Sequence, residues 1–552
     1  MKPTNLGIKL TEVEDRVCTL LDGCTRWMKT EQGVDTSCRI AGGWVRDKLL
    51  GMQSNDIDVA LTDMMGLAFA EKFRDYCNSL DGVLIEKIAK VEKNPDRSKH
   101  LETAKAKVLD IELDFVNLRS EEYSEDSRIP TQVAFGTPLQ DALRRDITIN
   151  ALFYNVHSRE VEDHTGKGLE DLKNGIVRTP LAPRETFMDD PLRVLRCVRF
   201  ASRFGFSLVP ELQAAAKDAD IQFALRTKIS RERVGEELDK MMKGKRRNPL
   251  LSIQIINDLS LSTSIFDIPT AITSKFSGLP GQPSLGLAAA SILNILAESE
   301  SSFLVPLHPT LKASFRHELS TPPRLYLASI LTPYRHITYE GIKGRMHSAP
   351  EAAIRDAVKL GVQNHYLDGI PALFMSADLL QNPQIGGEKE RVRMGLLLRD
   401  KHVHNPYTGS YWASSLLFSL VQELVPLWDG NTKLFDEKAV SDRIEVYNTF
   451  VARAEELNLH EAVDANPLLN GKVVVELLEA GKPGPWLSKV LADVVEWQLE
   501  YPDGTKDDCE QWLKAAHSAG KISFAVGPTR AAPAKRGRGD VREGQKKSKV
   551  EP

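Results

Sequence analysis

The chain has 552 residues, 42% of them hydrophobic and 27% charged, which is room for three or four domains of ordinary soluble composition. A formal net charge of −4 excludes a general nucleic-acid coat, so nucleic-acid contact must come from local basic patches. Six scattered cysteines without a C-x-x-C pair exclude a zinc or disulfide framework, and no apolar run approaches the ~18 residues that span a bilayer.

The stretch Met1 to Arg16 mixes Lys2 and Lys9 with Glu12, Glu14 and Asp15, unlike a signal or transit peptide. Cytoplasm or nucleus is the expectation, with the mitochondrion left open. Cys38 to Ala41 reads as a strand ending at Gly42-Gly43, and Trp44 to Leu50 as a helix stopped by Gly51. Ile57 to Leu61 and Leu109 to Leu118 read as further strands, with helical spacing over Met65 to Leu80 between them. Arg119 to Gln140 is polar and broken by Pro130, Gly136 and Pro138, which predicts a long loop of functional type. After Pro180 and Pro183, helices dominate to about residue 520. The expected class is α+β: a mixed head over 1–180, then a helical neck (181–250), body (251–385) and tail (386–527). The Gly/Pro/Lys/Arg-rich end, 528–552, is expected to be disordered. Its basic residues suit a solvated terminus about as well as a nuclear signal and a loose RNA-binding arm taken together.

The chemistry begins at Ala41-Gly42-Gly43, followed after twelve residues by Asp56-Ile57-Asp58-Val59. Asp56 and Asp58 fall on one face of a strand and Ile57 and Val59 on the other. Such a D-x-D pair is common on solvated strands. Behind a strand–Gly-Gly–helix unit it gains meaning, because two carboxylates on one edge can grip a pair of Mg²⁺ ions. The glycines allow close approach of phosphate to backbone N–H groups, and Arg46 in the first turn of the helix can reach the same phosphates. A third acid is expected from Ile111-Glu112-Leu113-Asp114-Phe115, in which Glu112 and Asp114 share a face.

In Arg144-Arg145-Asp146-Ile147-Thr148-Ile149-Asn150, the arginine pair suits phosphate, and Asp146 and Asn150 share a face if the stretch is helical. In Asp189-Asp190-Pro191-Leu192-Arg193, Asp189 is a plausible N-cap and Pro191 a first-turn residue. Asp190 and Arg193 are i,i+3 neighbours, able to present an acceptor and donors to the edge of a base. Arg196, Arg199 and Arg203 continue that side. Leu192, Val194, Leu195, Val198, Phe200 and Phe204 fill the rest of the circumference, so the helix is expected to be buried, with a triphosphate as partner for its arginines.

Together these residues resemble the bacterial/eukaryotic class of CCA-adding tRNA nucleotidyltransferases, within the polymerase β superfamily. Gly42 to Asp47 with Asp56 and Asp58 is similar to the first motif of that family, and Arg144 to Asn150 to its second. Asp163 to Gly166, Gly168 and Asp171-Leu172 are similar to the third, Asp189 to Arg193 to the fourth, and Ser230-Arg231-Glu232-Arg233 to the fifth. Two positions depart from the pattern: Asp189 stands where Glu is usual, and Lys167 separates two glycines that are usually adjacent.

The resemblance implies a monomer of head, neck, body and tail that adds CCA to tRNA from CTP and ATP with two Mg²⁺ ions. The tail would reach the tRNA elbow. It implies Asp56 and Asp58 as metal ligands, Asp114 as the third acid, and Gly42, Gly43, Arg46, Arg145, Asp146 and Asn150 around the nucleotide. Asp190 and Arg193 would read the base, with Arg196 and Arg199 on the triphosphate. The rivals are a poly(A) polymerase, which shares the head motifs, and a non-catalytic RNA-binding scaffold, which the presence of both Asp56 and Asp58 disfavours.

Overall fold

The computed structural model describes residues 7–85, 87–91, 103–124, 127–244, 247–298, 305–428 and 436–522. The end expected to be disordered, 528–552, lies outside the described residues. By backbone contacts the chain divides into one unit of 1–385 with 397–456 and a second of 386–396 with 457–552. All six cysteines are buried and unpaired. Among the described residues no helix is long and apolar enough to cross a membrane.

The first unit opens with α1 (Glu12–Gln32), whose start is fixed by a capping box between Thr11 and Glu14. Then follow β1 (Cys38–Ala41), α2 (Gly43–Leu49), β2 (Asp56–Leu61), α3 (Gly66–Asn78), β3 (Ile88–Val91), β4 (Thr103–Val108) and β5 (Ile111–Asn117). With β8 (Phe153–Asn155) and β9 (Glu160–Glu162), these strands form a seven-stranded sheet ordered β3-β4-β5-β2-β1-β8-β9. Only β2 and β5 pair in parallel, with Asp58 beside Asp114 and Asp56 beside Glu112. Phe69 and Phe73 of α3 pack on Phe115 of β5, which seats the helix on the sheet.

Three expectations are corrected here. Leu109 and Asp110 are not strand residues; both have positive φ and form the turn between β4 and β5. The predicted loop over 119–140 is instead a two-stranded ribbon, β6 (Arg119–Ser124) and β7 (Ser127–Phe135), followed by α4 (Pro138–Leu143). Its polar composition and Pro130 concealed the strands, since proline is tolerated where ladder bonds are not required on both sides. The stretch 144–150 is not one helix: α4 ends at Leu143, and only Thr148–Asn150 turn as a 3₁₀ helix.

Beyond α5 (Gly168–Asn174) the described residues are largely helical, with short strand pairs such as Thr338–Glu340 with Met346–Ser348. α6 (Pro183–Asp189) leads into α7 (Leu192–Phe204), then α8 (Pro210–Lys217), α9 (Ala219–Thr227) and α10 (Arg231–Met242). Asp189 therefore closes α6 and does not cap α7. Asp190 sits between the two helices, its Oδ1 accepting the Leu192 N–H at 3.2 Å. The second unit has its own core, built from Leu469, Val474, Val490, Val494, Trp497 and Leu513.

Candidate active site

The sheet puts three acids together by register alone. β2 lies between β1 and β5, so Asp58 stands opposite Ala41, the residue before the glycine turn, and beside Asp114. In-register neighbours on adjacent strands are about 5 Å apart. Ile57 and Val59 are buried while Asp56 is exposed, which is the alternation the D-x-D pattern demands. Burial first, then the nearby Asp56 and Asp114, push the Asp58 carboxyl up to about 6, with Arg145 opposing. Asp114 is paired with Lys105 of β4 at 2.7 Å. Among the described residues no three acid, histidine or cysteine side chains close into a metal cage. The acids instead form an open carboxylate edge, as suits a divalent ion that keeps water or phosphate ligands.

Asp58 lines a cavity of about 520 Å³ whose other charged walls are overwhelmingly cationic. Among the described residues, nine arginines and three aspartates line it, together with Gly42, Gly43 and Asn150. Asp190, Arg193, Arg196 and Arg199 of the fourth motif face the same space as Arg46, Arg145 and Asp146 of the first two. Asp56 and Asp114 are not among its lining residues, and they reach the site through their proximity to Asp58.

Each of these motif arginines already has a protein partner, so their burial is satisfied before any triphosphate is present. Arg46 is paired with Asp47 at 2.6 Å and donates to Asn150 Oδ1, and burial pulls its guanidinium below the usual value. Arg145 donates to Asp141 Oδ2 at 2.8 Å and to the Asn150 carbonyl at 3.1 Å, over the ring of Phe153. Arg196 pairs with Asp146 at 2.7 Å and Arg199 with Glu237 at 2.6 Å. Burial would raise the Asp146 carboxyl, yet Arg196 and Asn150 together hold it down to about 2. Arg193 donates to the Arg144 carbonyl at 2.7 Å. Although 144–150 is not helical, Asn150 Nδ2 still reaches Asp146 Oδ1 at 3.0 Å.

Aromatic rings set the cation geometry. Phe200 and Phe204 of α7 lie parallel, 6.1 Å apart. Arg46 sits over both, Arg196 and Arg199 over Phe200, and Arg203 over Phe204. The i,i+4 spacing of the two phenylalanines produces this platform. Gly42 has φ +73°, and a Cβ there would stand 2.7 Å from Arg145 Nη1. Its own N–H is donated to the Leu152 carbonyl at 3.0 Å, so what it offers the site is room for Arg145.

Asp141, Glu121 and Glu237 carry no motif signature, and sequence reasoning missed them. Asp141 is 1% exposed and holds both Arg144 and Arg145, while Glu121 of β6 accepts from Arg119 and Arg144. Only Asp141 offered a signal, as an acid three and four residues before the arginine pair. In the third motif, Asp171 accepts the Thr148 hydroxyl at 2.7 Å and ties α5 to the 3₁₀ turn. Asp163 accepts the Gly166 and Leu169 N–H groups, bracing the turn despite Lys167.

A family model described as the poly A polymerase head domain matches residues 38–178. Over 527 residues the chain is 36% identical to the mitochondrial CCA tRNA nucleotidyltransferase of Saccharomyces cerevisiae, covering 92% of this chain and 94% of that one. It is 34% identical over 509 residues to tRNA nucleotidyltransferase cca1 of Schizosaccharomyces pombe, covering 91% and 95%. The fold is shared with the Thermotoga maritima CCA-adding enzyme solved in complex with tRNA, at a TM-score of 0.54 and 19% identity, over 92% and 96% of the two chains.

Proposed function

Since the chain belongs to the CCA tRNA nucleotidyltransferases and adds CCA to tRNA, we propose that Asp56, Asp58 and Asp114 form its catalytic edge, with Asp56 and Asp58 holding two Mg²⁺ ions. The carrying observation is the β2–β5 register, which sets Asp114 beside Asp58, itself on the wall of a cavity rich in arginines. Burial and then the neighbouring acids lift Asp58, and a divalent cation would relieve the negative charge gathered there, so the residues fit the group. When bound, such ions lower the pKa of an attacking hydroxyl and neutralise charge on a triphosphate.

The chain's own groups do the rest. Arg46, Arg145, Arg196 and Arg199 receive the triphosphate, preoriented by Asp47, Asp141, Asp146 and Glu237 and by the rings beneath them. Asp146 and Asn150 act by holding Arg196 and Arg46, and Gly42 and Gly43 by opening the turn. Asp190 accepts the amino group of cytosine or adenine while Arg193 donates to the adjacent ring nitrogen. Uracil and guanine would turn a carbonyl toward the carboxylate, acceptor against acceptor. Protein side chains thus take the part of a template strand. The tRNA 3′ hydroxyl attacks the α-phosphorus, an O–P bond forms, and diphosphate leaves.

We further assign the head to 1–180, the neck to 181–250, the body to 251–385 and the tRNA-elbow tail to 386–527. We further infer that the enzyme acts as a monomer. The mitochondrial relative in S. cerevisiae supports the mitochondrion, which we propose in addition to cytoplasm and nucleus. The test is incubation of purified protein and Mg²⁺ with tRNA lacking CCA, giving CTP and ATP separately and together. Addition of C, C and A followed by arrest is expected. Long tails from ATP alone would identify a poly(A) polymerase instead.

A further inference from the structure

Both members of the base-reading pair are held by other groups, and one of those groups has no role in the account above. Arg193 is anchored through the Arg144 carbonyl at 2.7 Å and the Thr186 carbonyl at 3.5 Å. Asp190 spends Oδ1 on the Leu192 N–H at 3.2 Å, and its Oδ2 lies 3.5 Å from Nη2 of Arg233. Arg233 lines the cavity and belongs to the first turn of α10, the fifth-motif helix. Its other terminal nitrogen, Nη1, is buried without a hydrogen-bond partner.

The start of α10 is fixed from outside the cavity. Arg231 donates from Nε to the Ala357 carbonyl at 2.5 Å and from Nη1 to the Ser264 carbonyl at 3.3 Å. One turn later, Gly235 packs against the Val358 carbonyl so closely that any Cβ would collide with it. Arg233 therefore projects from a braced helix end toward Asp190. A carboxylate that must distinguish an amino group from a carbonyl has to be ionised and aimed, because a protonated carboxyl could donate to the carbonyl and a carboxylate turned aside meets neither edge. A guanidinium on its outer oxygen, with the Leu192 N–H on the inner one, leaves each oxygen one lone pair directed at the base.

We propose that Arg233 is a positioning residue for nucleotide selection, acting through Asp190 from the braced end of α10. This rests on the reading of Asp190 as the base reader. With a nucleotide in place, the guanidinium closes onto the carboxylate and gives its buried Nη1 an acceptor.

The experiment measures kcat/KM for CTP and UTP on full-length protein with tRNA ending at the discriminator base, for Arg233→Gln, Asp190→Ala and the double variant. Arg233→Gln is expected to raise the UTP-to-CTP ratio about tenfold, since a misdirected acceptor no longer rejects the carbonyl. The double variant should discriminate no worse than Asp190→Ala alone, because both changes remove one interaction. Arg233→Lys keeps the charge but not the fork, so it should shift the ratio in the same direction by less; it also serves if Arg233→Gln does not fold. If Asp190→Ala changes the ratio while both Arg233 variants slow all nucleotides by one common factor, the inference is overturned and the base-reader assignment stands. If Asp190→Ala itself leaves the ratio unchanged, the base-reader assignment fails and takes this inference with it.

Discussion

Arg193 donates from Nη2 to the backbone carbonyl of Arg144 at 2.7 Å, while the Arg144 side chain pairs with Glu121 of the β6–β7 ribbon. The residue assigned to read the base is thus one step removed from a hairpin rooted beside the acids. A movement of the hairpin that pulls on Glu121 reaches Arg144, and through its carbonyl reaches Arg193.

That chain of contacts makes the ribbon separable from the basic chemistry. Shortening the hairpin within 122–133 should spare the two C additions and impair the final A, since the change of base needs a movable element. Glu121→Ala should do the same more mildly, lowering A addition several-fold while leaving C addition within about twofold. Equal loss of both would make the ribbon a general brace.

Asp56→Ala and Asp58→Ala should each lower CMP and AMP incorporation alike, on the order of a thousandfold or more, as expected when several kcal/mol of electrostatic stabilisation is removed. The melting temperature without metal should not fall, because neither carboxylate has a protein cation within ion-pair distance among the described residues. Near-normal turnover in Mg²⁺ by either variant would falsify the assignment.

Asp190→Ala should raise the GTP-to-ATP ratio of kcat/KM on tRNA already ending in CC, again about tenfold. A uniform slowing of all four nucleotides would show that Asp190 only starts α7.

Asp141 gives the clearest dependence on pH. Burial would raise its carboxyl, but Arg144 and Arg145 hold it at about 2, below its ordinary 3.8. A folded-state value below the unfolded one means stability that is present above pH ~4 and lost as pH falls toward ~2, amounting to about 2 kcal/mol. Asp141→Asn should therefore unfold more easily than wild type in urea at pH 7, with the gap shrinking below pH 4. A gap of equal size at pH 7 and pH 2.5 would assign the loss to packing rather than charge.

Gly42→Ala should weaken nucleotide binding more than folding. A Cβ at φ +73° meets Arg145 Nη1, the flexible end of a side chain, so Arg145 yields and loses its place. The expected signature is a KM for both nucleotides raised about tenfold, with KM for tRNA unchanged.

Much of the site was legible because its residues sit in short runs whose spacing is itself the geometry. Asp56 and Asp58 alternate along one strand, and Asp190 and Arg193 fall one helical turn apart. What could not be read were the partners across long loops. Glu237 reaches Arg199 from α10, and Glu121 reaches Arg144 from a ribbon that looked like a loop. A lone glutamate has no periodicity, and only the fold shows what it faces. Neither could the sequence choose between Glu112 and Asp114 by spacing; the parallel register of β2 and β5 set Asp114 beside Asp58.

The stacked platform of Phe200 and Phe204 bears on ionic strength. Its guanidiniums lie against rings and buried carboxylates, where mobile ions have little access. Screening by added salt acts on solvent-exposed charges, and those on the outer surface are the ones that meet the phosphates of a bound RNA. Raising potassium chloride should therefore loosen the grip on tRNA steeply while hardly changing the concentration of CTP or ATP at half saturation, so that salt strips the enzyme of its long substrate before its small one.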